Sequence, residues 1–265
     1  MVSMTKPDRN PDDARMSLGD HLDELRRRII YMLVGLAVTT AACLVFAPEL
    51  IAFLKRPYAD VMLQLGLEPN LAVLDVSAGL TNYLKVSFYA GIVLAAPWLF
   101  YQLWAFISAG LYEREKRYVR LAAPLCAGLF VTGAMFFVLL VARQVLFYLL
   151  SLSRWLGMVP VITFENHINF MTRMMLVFGL AFQTPVLILG LATTGLLTLK
   201  MLHHYRKHVV VVILVLAAVL TPPDPFSQIA LAIPMWLLYE LGVGLSYLLV
   251  FRRRNRSRAE SESRI

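Results

Sequence analysis

Six long apolar runs, separated by short charged segments, constrain this chain more than any other feature of its sequence. A run of about 20 apolar residues forms a helix that crosses the ~30 Å hydrocarbon core of a bilayer. Helices cross a bilayer because they satisfy their own backbone polar groups. Apolar residues make up 59% of the chain, more than a soluble domain carries. The sequence therefore predicts an all-α membrane protein with six transmembrane helices.

The predicted spans cover residues 29–47, 86–107, 121–150, 170–191, 209–220 and 229–251. The third is longer than a bilayer requires and should project beyond the outer face. The fifth is short, because its 12 strictly apolar residues form only ~18 Å of helix. Prolines lie inside four spans, at Pro97, Pro124, Pro185 and Pro234, so we expect curved or kinked helices.

The distribution of Lys and Arg predicts the orientation. Nineteen of these residues lie before the first span, in the loops 109–120 and 192–208, and after residue 251. The opposite side has four, which are Lys55, Arg56, Arg143 and Arg154. Because basic residues remain in the cytoplasm, both termini are predicted to be cytoplasmic. The net charge of +8 then reflects topology and not nucleic-acid binding.

The predicted spans and their orientation divide the chain into three regions. Residues 1–16 are expected to form a disordered cytoplasmic segment, and residues 17–251 the six-helix membrane domain. Residues 252–265 are expected to form a basic, disordered cytoplasmic tail.

Two acidic clusters lie on the basic cytoplasmic face. Their members are Asp20, Asp23 and Glu24 in an amphipathic helix before the first span, and Glu113 and Glu115 in the first cytoplasmic loop. One interpretation is local: the first cluster pairs with arginines one turn away, and the second lies in a solvated loop. The other is functional, because carboxylates accept bidentate hydrogen bonds from the guanidinium of an incoming Arg-rich peptide. The residues alone leave both open.

Polar residues inside spans are costly and suggest function. Gln183 lies in the fourth span, where a helix-to-helix hydrogen bond and a partner contact are both possible. Glu240 lies in the sixth span without an evident partner. The Pro-rich turn 221–228 fits a rigid turn in which Asp224 or Ser227 caps the next helix. Motifs of metalloproteases, esterases and phosphate-binding loops do not occur, so we predict no enzyme, cofactor or metal site.

Four stretches of the sequence resemble the TatC family. They are residues 21–26 (HLDELR), 97–106 (PWLFYQLWAF), 111–117 (LYEREKR) and 220–228 (LTPPDPFSQ), the last followed by AIPM at 232–235. The resemblance implies a cupped bundle with short fifth and sixth helices in the cell inner membrane. It also implies the receptor core of a machine that exports folded proteins with the proton-motive force. Such a receptor binds twin-arginine signal peptides and assembles, as a homo-oligomer, with the single-span subunits TatA and TatB.

The resemblance also implies residue roles. Glu24 and Glu115 match the acids that receive the twin arginines, with Arg26, Phe106 and Glu113 beside them. Pro57, Asp224 and Gln228 match transport-sensitive positions. Gln183 stands where family members commonly carry Glu, which removes a titratable carboxylate but keeps a polar docking point for a partner helix.

Two other classes of membrane protein are compatible with several apolar spans. A secondary transporter would usually show inverted repeats with broken helices, and the sequence shows no repeat. The membrane subunit of an ATP-driven exporter would need a coupling segment and a separate ATPase, which the sequence does not exclude.

The charge distribution makes a prediction about topology. Cysteines introduced by Ser3→Cys and Ser261→Cys should be shielded, in intact cells, from an impermeant thiol reagent, whereas Asn70→Cys should be labelled. Labelling at either terminus would contradict the predicted orientation.

Overall fold

The computed structural model describes residues 18–109, 116–193, 199–221 and 224–262. Every regular element in these ranges is a helix, apart from one isolated bridge between Ala72 and Thr163. The helices are α1 (Leu18–Val45), α2 (Ala47–Gln64), α3 (Ala78–Ala109), α4 (Lys116–Phe136), α5 (Ala142–Trp155), α6 (Phe164–Ala181), α7 (Thr184–Thr193), α8 (Leu199–His204), α9 (Arg206–Leu220) and α10 (Pro225–Glu262). A π-helical turn, Phe137–Val141, joins α4 to α5.

Five stretches in these ranges are long and apolar enough to cross a membrane. They are Gly19–Val45, Ala78–Ser108, Ala122–Trp155, Phe164–Ala192 and Pro225–Leu248. They correspond to the predicted first, second, third, fourth and sixth spans. The third is the longest at 34 residues, which confirms that it exceeds what a bilayer requires. The predicted fifth span is α9, whose 15 residues confirm that it is short.

The sixth helix is not short, and this expectation was wrong. Its apolar part, Pro225–Leu248, has 24 residues, but α10 continues to Glu262 and has 38 residues in all. No Gly or Pro follows Gly244 to end the helix, and the Arg-rich sequence combines good helix formers with positive charge near a helix C-terminus. The helix thus enters the segment that we expected to be disordered; the domain boundary after residue 251 stays a prediction.

Only one of the four prolines inside spans lies next to a break in its helix. The fourth span is interrupted between α6 and α7, where the backbone N–H of Gln183 donates to the carbonyl of Leu180 at 3.0 Å in a turn. Pro185 follows in the first turn of α7, where its missing N–H costs nothing. Helices α3, α4 and α10 continue through their prolines.

Helix α2 packs against α5 beside the third span. Tyr58, Val61 and Met62 of α2 form a buried cluster with Leu146 and Leu150 of α5. Close to it, the segments that precede α3 and α6 are joined by the bridge at Ala72, whose N–H donates to the carbonyl of Ile162 at 3.0 Å. The third span is therefore supported at its C-terminal end by protein as well as by lipid.

Helices α1 and α3 approach each other closely at a glycine. The Thr39 hydroxyl donates to the Gly91 carbonyl at 3.0 Å. A Cβ atom at Gly91 would lie 2.9 Å from the Thr40 Cα. Because the obstructing atom belongs to the backbone, a side chain at this position requires the two helices to separate.

This contact predicts the effect of adding one methyl group. Gly91→Ala should lower the free energy of unfolding by about 1–3 kcal/mol, the usual cost of overpacking, measured as the thermal unfolding midpoint in detergent. Gly79→Ala is the matched control on the same helix, because a Cβ there meets open space. Equal midpoints for Gly91→Ala and the unmodified protein would contradict the close approach.

Candidate functional site

A charged pair and an amide link the start of α1 to the end of α3. The Arg28 Nε atom donates to Glu24 Oε1 at 2.6 Å, across one turn of α1. The Nη1 atom of the same guanidinium donates to Gln102 Oε1 on α3 at 2.8 Å. The carboxylate and the amide oxygen thus hold one guanidinium from two directions.

This polar group is largely shielded from solvent. The side chains of Arg28 and Glu24 are 18% and 16% exposed, and Gln102 is 2% exposed. Charge-assisted hydrogen bonds in such surroundings are stronger than exposed ion pairs. Of the two interpretations of the first acidic cluster, local pairing is therefore realised for Glu24. The same contact shows that Glu24 and Gln102 together can hold one guanidinium.

An aromatic contact lies beside the pair. The rings of His21 and Phe106 are stacked, with centroids 4.5 Å apart and planes 30° apart. Arg26 is exposed on the same helix. The structure thus brings Glu24 and Phe106 to one end of the α1–α3 pair, with Arg26 on its surface. The other predicted members, Glu113 and Glu115, lie outside the described residues.

Gln102 was not singled out from the sequence. A signal existed, since an amide inside an apolar span is unusual. Its partner was not evident, because Arg28 and Gln102 are 74 positions apart. The partner of Glu240 was not evident either, because it lies 34 positions away in the sequence. Glu240 on α10 accepts a hydrogen bond from Arg206 Nη2 on α9 at 2.9 Å.

Gln183 lies in the turn between α6 and α7 and is buried. Its Nε2 atom donates to the carbonyl of Cys126 on α4 at 3.0 Å. Its Oε1 atom has no hydrogen-bond partner among the described residues. The amide therefore makes the helix-to-helix bond and still offers an unused acceptor.

The remaining predicted residues have structural contacts of their own. The Asp224 carboxylate accepts the backbone N–H of Ser227 at 2.6 Å and so caps α10. Gln228 Nε2 donates to the carbonyl of Leu214 at 3.0 Å, which ties α10 to α9. Pro57 is buried within α2. These three residues belong to other elements than the Glu24 site.

Together these features define a multi-pass helical membrane protein in which polar side chains are paired between helices. The particular family is TatC, to which this chain belongs. The family model described as Sec-independent protein translocase protein (TatC) matches residues 20–234.

Relatives and solved structures agree with this assignment. The Sec-independent protein translocase protein TatC of Frankia casuarinae is 34% identical over 91% of this chain and 68% of the relative. The corresponding protein of Koribacter versatilis is 32% identical over 94% of this chain and 91% of the relative. A crystal structure of the twin-arginine translocase receptor TatC is 30% identical, with a TM-score of 0.74 over 86% of this chain and 98% of that chain.

Proposed function

We propose that this chain is the core receptor subunit of a twin-arginine translocation (Tat) system. It binds twin-arginine signal peptides at the cytoplasmic face and assembles with TatA-type and TatB-type single-span subunits to export folded proteins. The proton-motive force drives the export, and the chain itself is not an enzyme. The observation that carries the proposal is the guanidinium held by Glu24 and Gln102, in a chain of the TatC family.

The proposal includes a topology of six crossings in the cell inner membrane, with both termini cytoplasmic. The charge distribution supports this orientation. Helix α9 makes the fifth crossing, although its 15 residues extend only about 22 Å. A helix shorter than the hydrocarbon core is accommodated by local thinning of the bilayer.

Recognition begins at the Glu24 site. A signal arginine displaces Arg28 from Glu24, or shares the carboxylate by binding Oε2. Displacement replaces one guanidinium by another, so the carboxylate never remains buried without a counter-charge, which would be costly. The released Arg28 is close to solvent. Glu115 receives the second arginine, and Glu113, Arg26 and Phe106 line the same surface.

This mechanism predicts a loss of binding in two single variants. Glu24→Ala and Glu115→Ala should each weaken the affinity for a twin-arginine signal peptide by about 10- to 150-fold, the worth of one charge-assisted contact. Titration of a labelled peptide against the detergent-purified chain measures this. Asp23→Ala is the matched control, because this neighbouring acid is exposed and makes no ion pair among the described residues. Unchanged affinity in both variants would refute the assignment.

Gln183 is proposed to dock a single-span partner. Interhelical hydrogen bonds in membranes are worth well under ~1 kcal/mol on average, so stability is a weak reason to keep a buried amide. The unpaired Oε1 is buried, and a movement of the turn between α6 and α7 exposes it to a partner helix on this proposal. The partner group is a donor, such as a hydroxyl, an amide N–H or a protonated carboxyl, because an ionised carboxylate has no hydrogen to donate. Pro57, Asp224 and Gln228 keep their proposed sensitivity in transport through the elements that they hold in place.

Docking at Gln183 predicts a variant that separates assembly from recognition. Gln183→Leu should leave signal-peptide affinity unchanged and reduce crosslinking to the partner and export, whereas Gln183→Glu should retain export. Gln144→Leu is the control, since it makes the same change at an exposed glutamine of α5. Export at the normal rate in Gln183→Leu would show that Gln183 is only a packing residue.

A further inference from the structure

A cavity of about 200 Å³ lies between α2 and the π-helical turn of the third span. Its charged lining residues are Arg56 and Asp60 of α2 and Arg143 of α5, and its apolar ones include Phe53 and Leu139. It is separate from the Glu24 site and from Gln183, and its lining includes Pro57, one of the predicted transport-sensitive residues. Two of the four Lys and Arg residues counted in the proposed outer segments thus line one small space.

The cavity has an unbalanced charge. Two guanidiniums and one carboxylate leave a net charge of +1. Neither arginine makes a hydrogen bond or an ion pair within the part of the chain that the structure describes. Like charges that converge on a cavity with apolar walls repel each other, and an anion between them would remove this repulsion. The charge of one phosphodiester matches the excess.

The depth of Arg143 places the cavity at a headgroup level. No charged residue lies between Arg120 and Arg143. At 1.5 Å per residue the two are about 34 Å apart along the helix, close to the thickness of the hydrocarbon core. Tyr148, one turn further on, stacks on Phe226 at the start of α10, with centroids 4.2 Å apart. Aromatic side chains concentrate at this interface of membrane proteins.

The surface below the cavity is apolar and uncovered. Leu139 and Leu140 in the π-helical turn are 59% and 58% exposed. Along this helix the exposed side chains change from leucine to arginine within four residues. The leucines match the acyl chains of a phospholipid, and the arginine matches its phosphate. A free inorganic anion would make no favourable contact with the apolar surface of Leu139 and Leu140.

We propose that Arg56 and Arg143 bind the phosphodiester of one anionic glycerophospholipid of the outer leaflet, whose acyl chains lie against Leu139 and Phe53. Asp60 accepts hydrogen bonds from the headgroup hydroxyls. The bound lipid bridges α2 and the third span, which also meet through the buried apolar cluster described above and through a hydrogen bond from Arg154 to the carbonyl of Leu65. The assignment to the outer leaflet rests on the topology proposed above.

Native mass spectrometry of the full-length chain, purified in detergent and titrated with phosphatidylglycerol, tests the proposal. R56Q and R143Q should each weaken binding of one tightly held lipid by roughly tenfold, the effect of losing one charge-assisted contact. K55Q is the matched control, because Lys55 is an exposed neighbour on α2 that does not line the cavity. It should bind the lipid as the unmodified chain does. Thermal unfolding midpoints identify a variant that has not folded.

Three results would overturn the proposal. The first is equal lipid affinity in R56Q, R143Q and the unmodified chain; the second is an equal loss in K55Q. The third is displacement of the lipid by inorganic phosphate at similar concentration, which would assign the site to a free anion. Signal-peptide binding is measured separately on the same samples. A failure of that binding would reject the proposed receptor function without changing the lipid result.

Discussion

The absence of water in the hydrocarbon core is the constraint on which the rest of this structure depends. Backbone groups must be satisfied within each helix, and polar side chains are costly unless they find partners. Three side-chain contacts between helices show how such partners are found. Arg28 meets Gln102 near the ends of two spans, Arg206 meets Glu240 across α9 and α10, and Gln183 lies at the one interrupted span. Each is also a place where the chain can be engaged by another molecule without unfolding a helix.

The apolar pattern predicted five spans that the structure also shows as long apolar helices, because the length of an apolar run decides whether a helix can cross a membrane. It was weaker on helix ends, since the polar residues after Phe251 do not themselves stop α10. Nor did the prolines decide the breaks. Pro97 and Pro124 lie within continuous helices, whereas Pro185 follows a turn. Neighbouring helices decide whether the freed carbonyls are satisfied, and that information is tertiary.

The residues of the candidate site also differ in how far the sequence predicted them. Glu24 was predicted from a short motif, and its pairing at i,i+4 follows from helix geometry alone. The role of Gln102 could not be predicted, because it depends on α1 and α3 packing in one register, fixed in part by the close approach at Gly91. Nor could the unpaired Oε1 of Gln183 be predicted, since a sequence does not show whether the oxygen or the nitrogen of an amide makes a hydrogen bond. Pairs separated by tens of residues thus need the fold.

If the chain is the proposed receptor, the contacts of the Arg28 guanidinium give a physical reason why it selects arginine over lysine in a signal peptide. Arg28 uses Nε for Glu24 and Nη1 for Gln102, so the two acceptors are placed to match a planar, forked group. A lysine ammonium is a compact, strongly hydrated charge that does not reproduce this fork. A lysine arriving at the pair would also have to displace a better-matched arginine already in place. Competition with Arg28 costs every peptide the same free energy, so it does not itself discriminate between peptides. The preference for arginine comes from the placement of the two acceptors, which suits a receptor that must ignore other basic segments near the membrane.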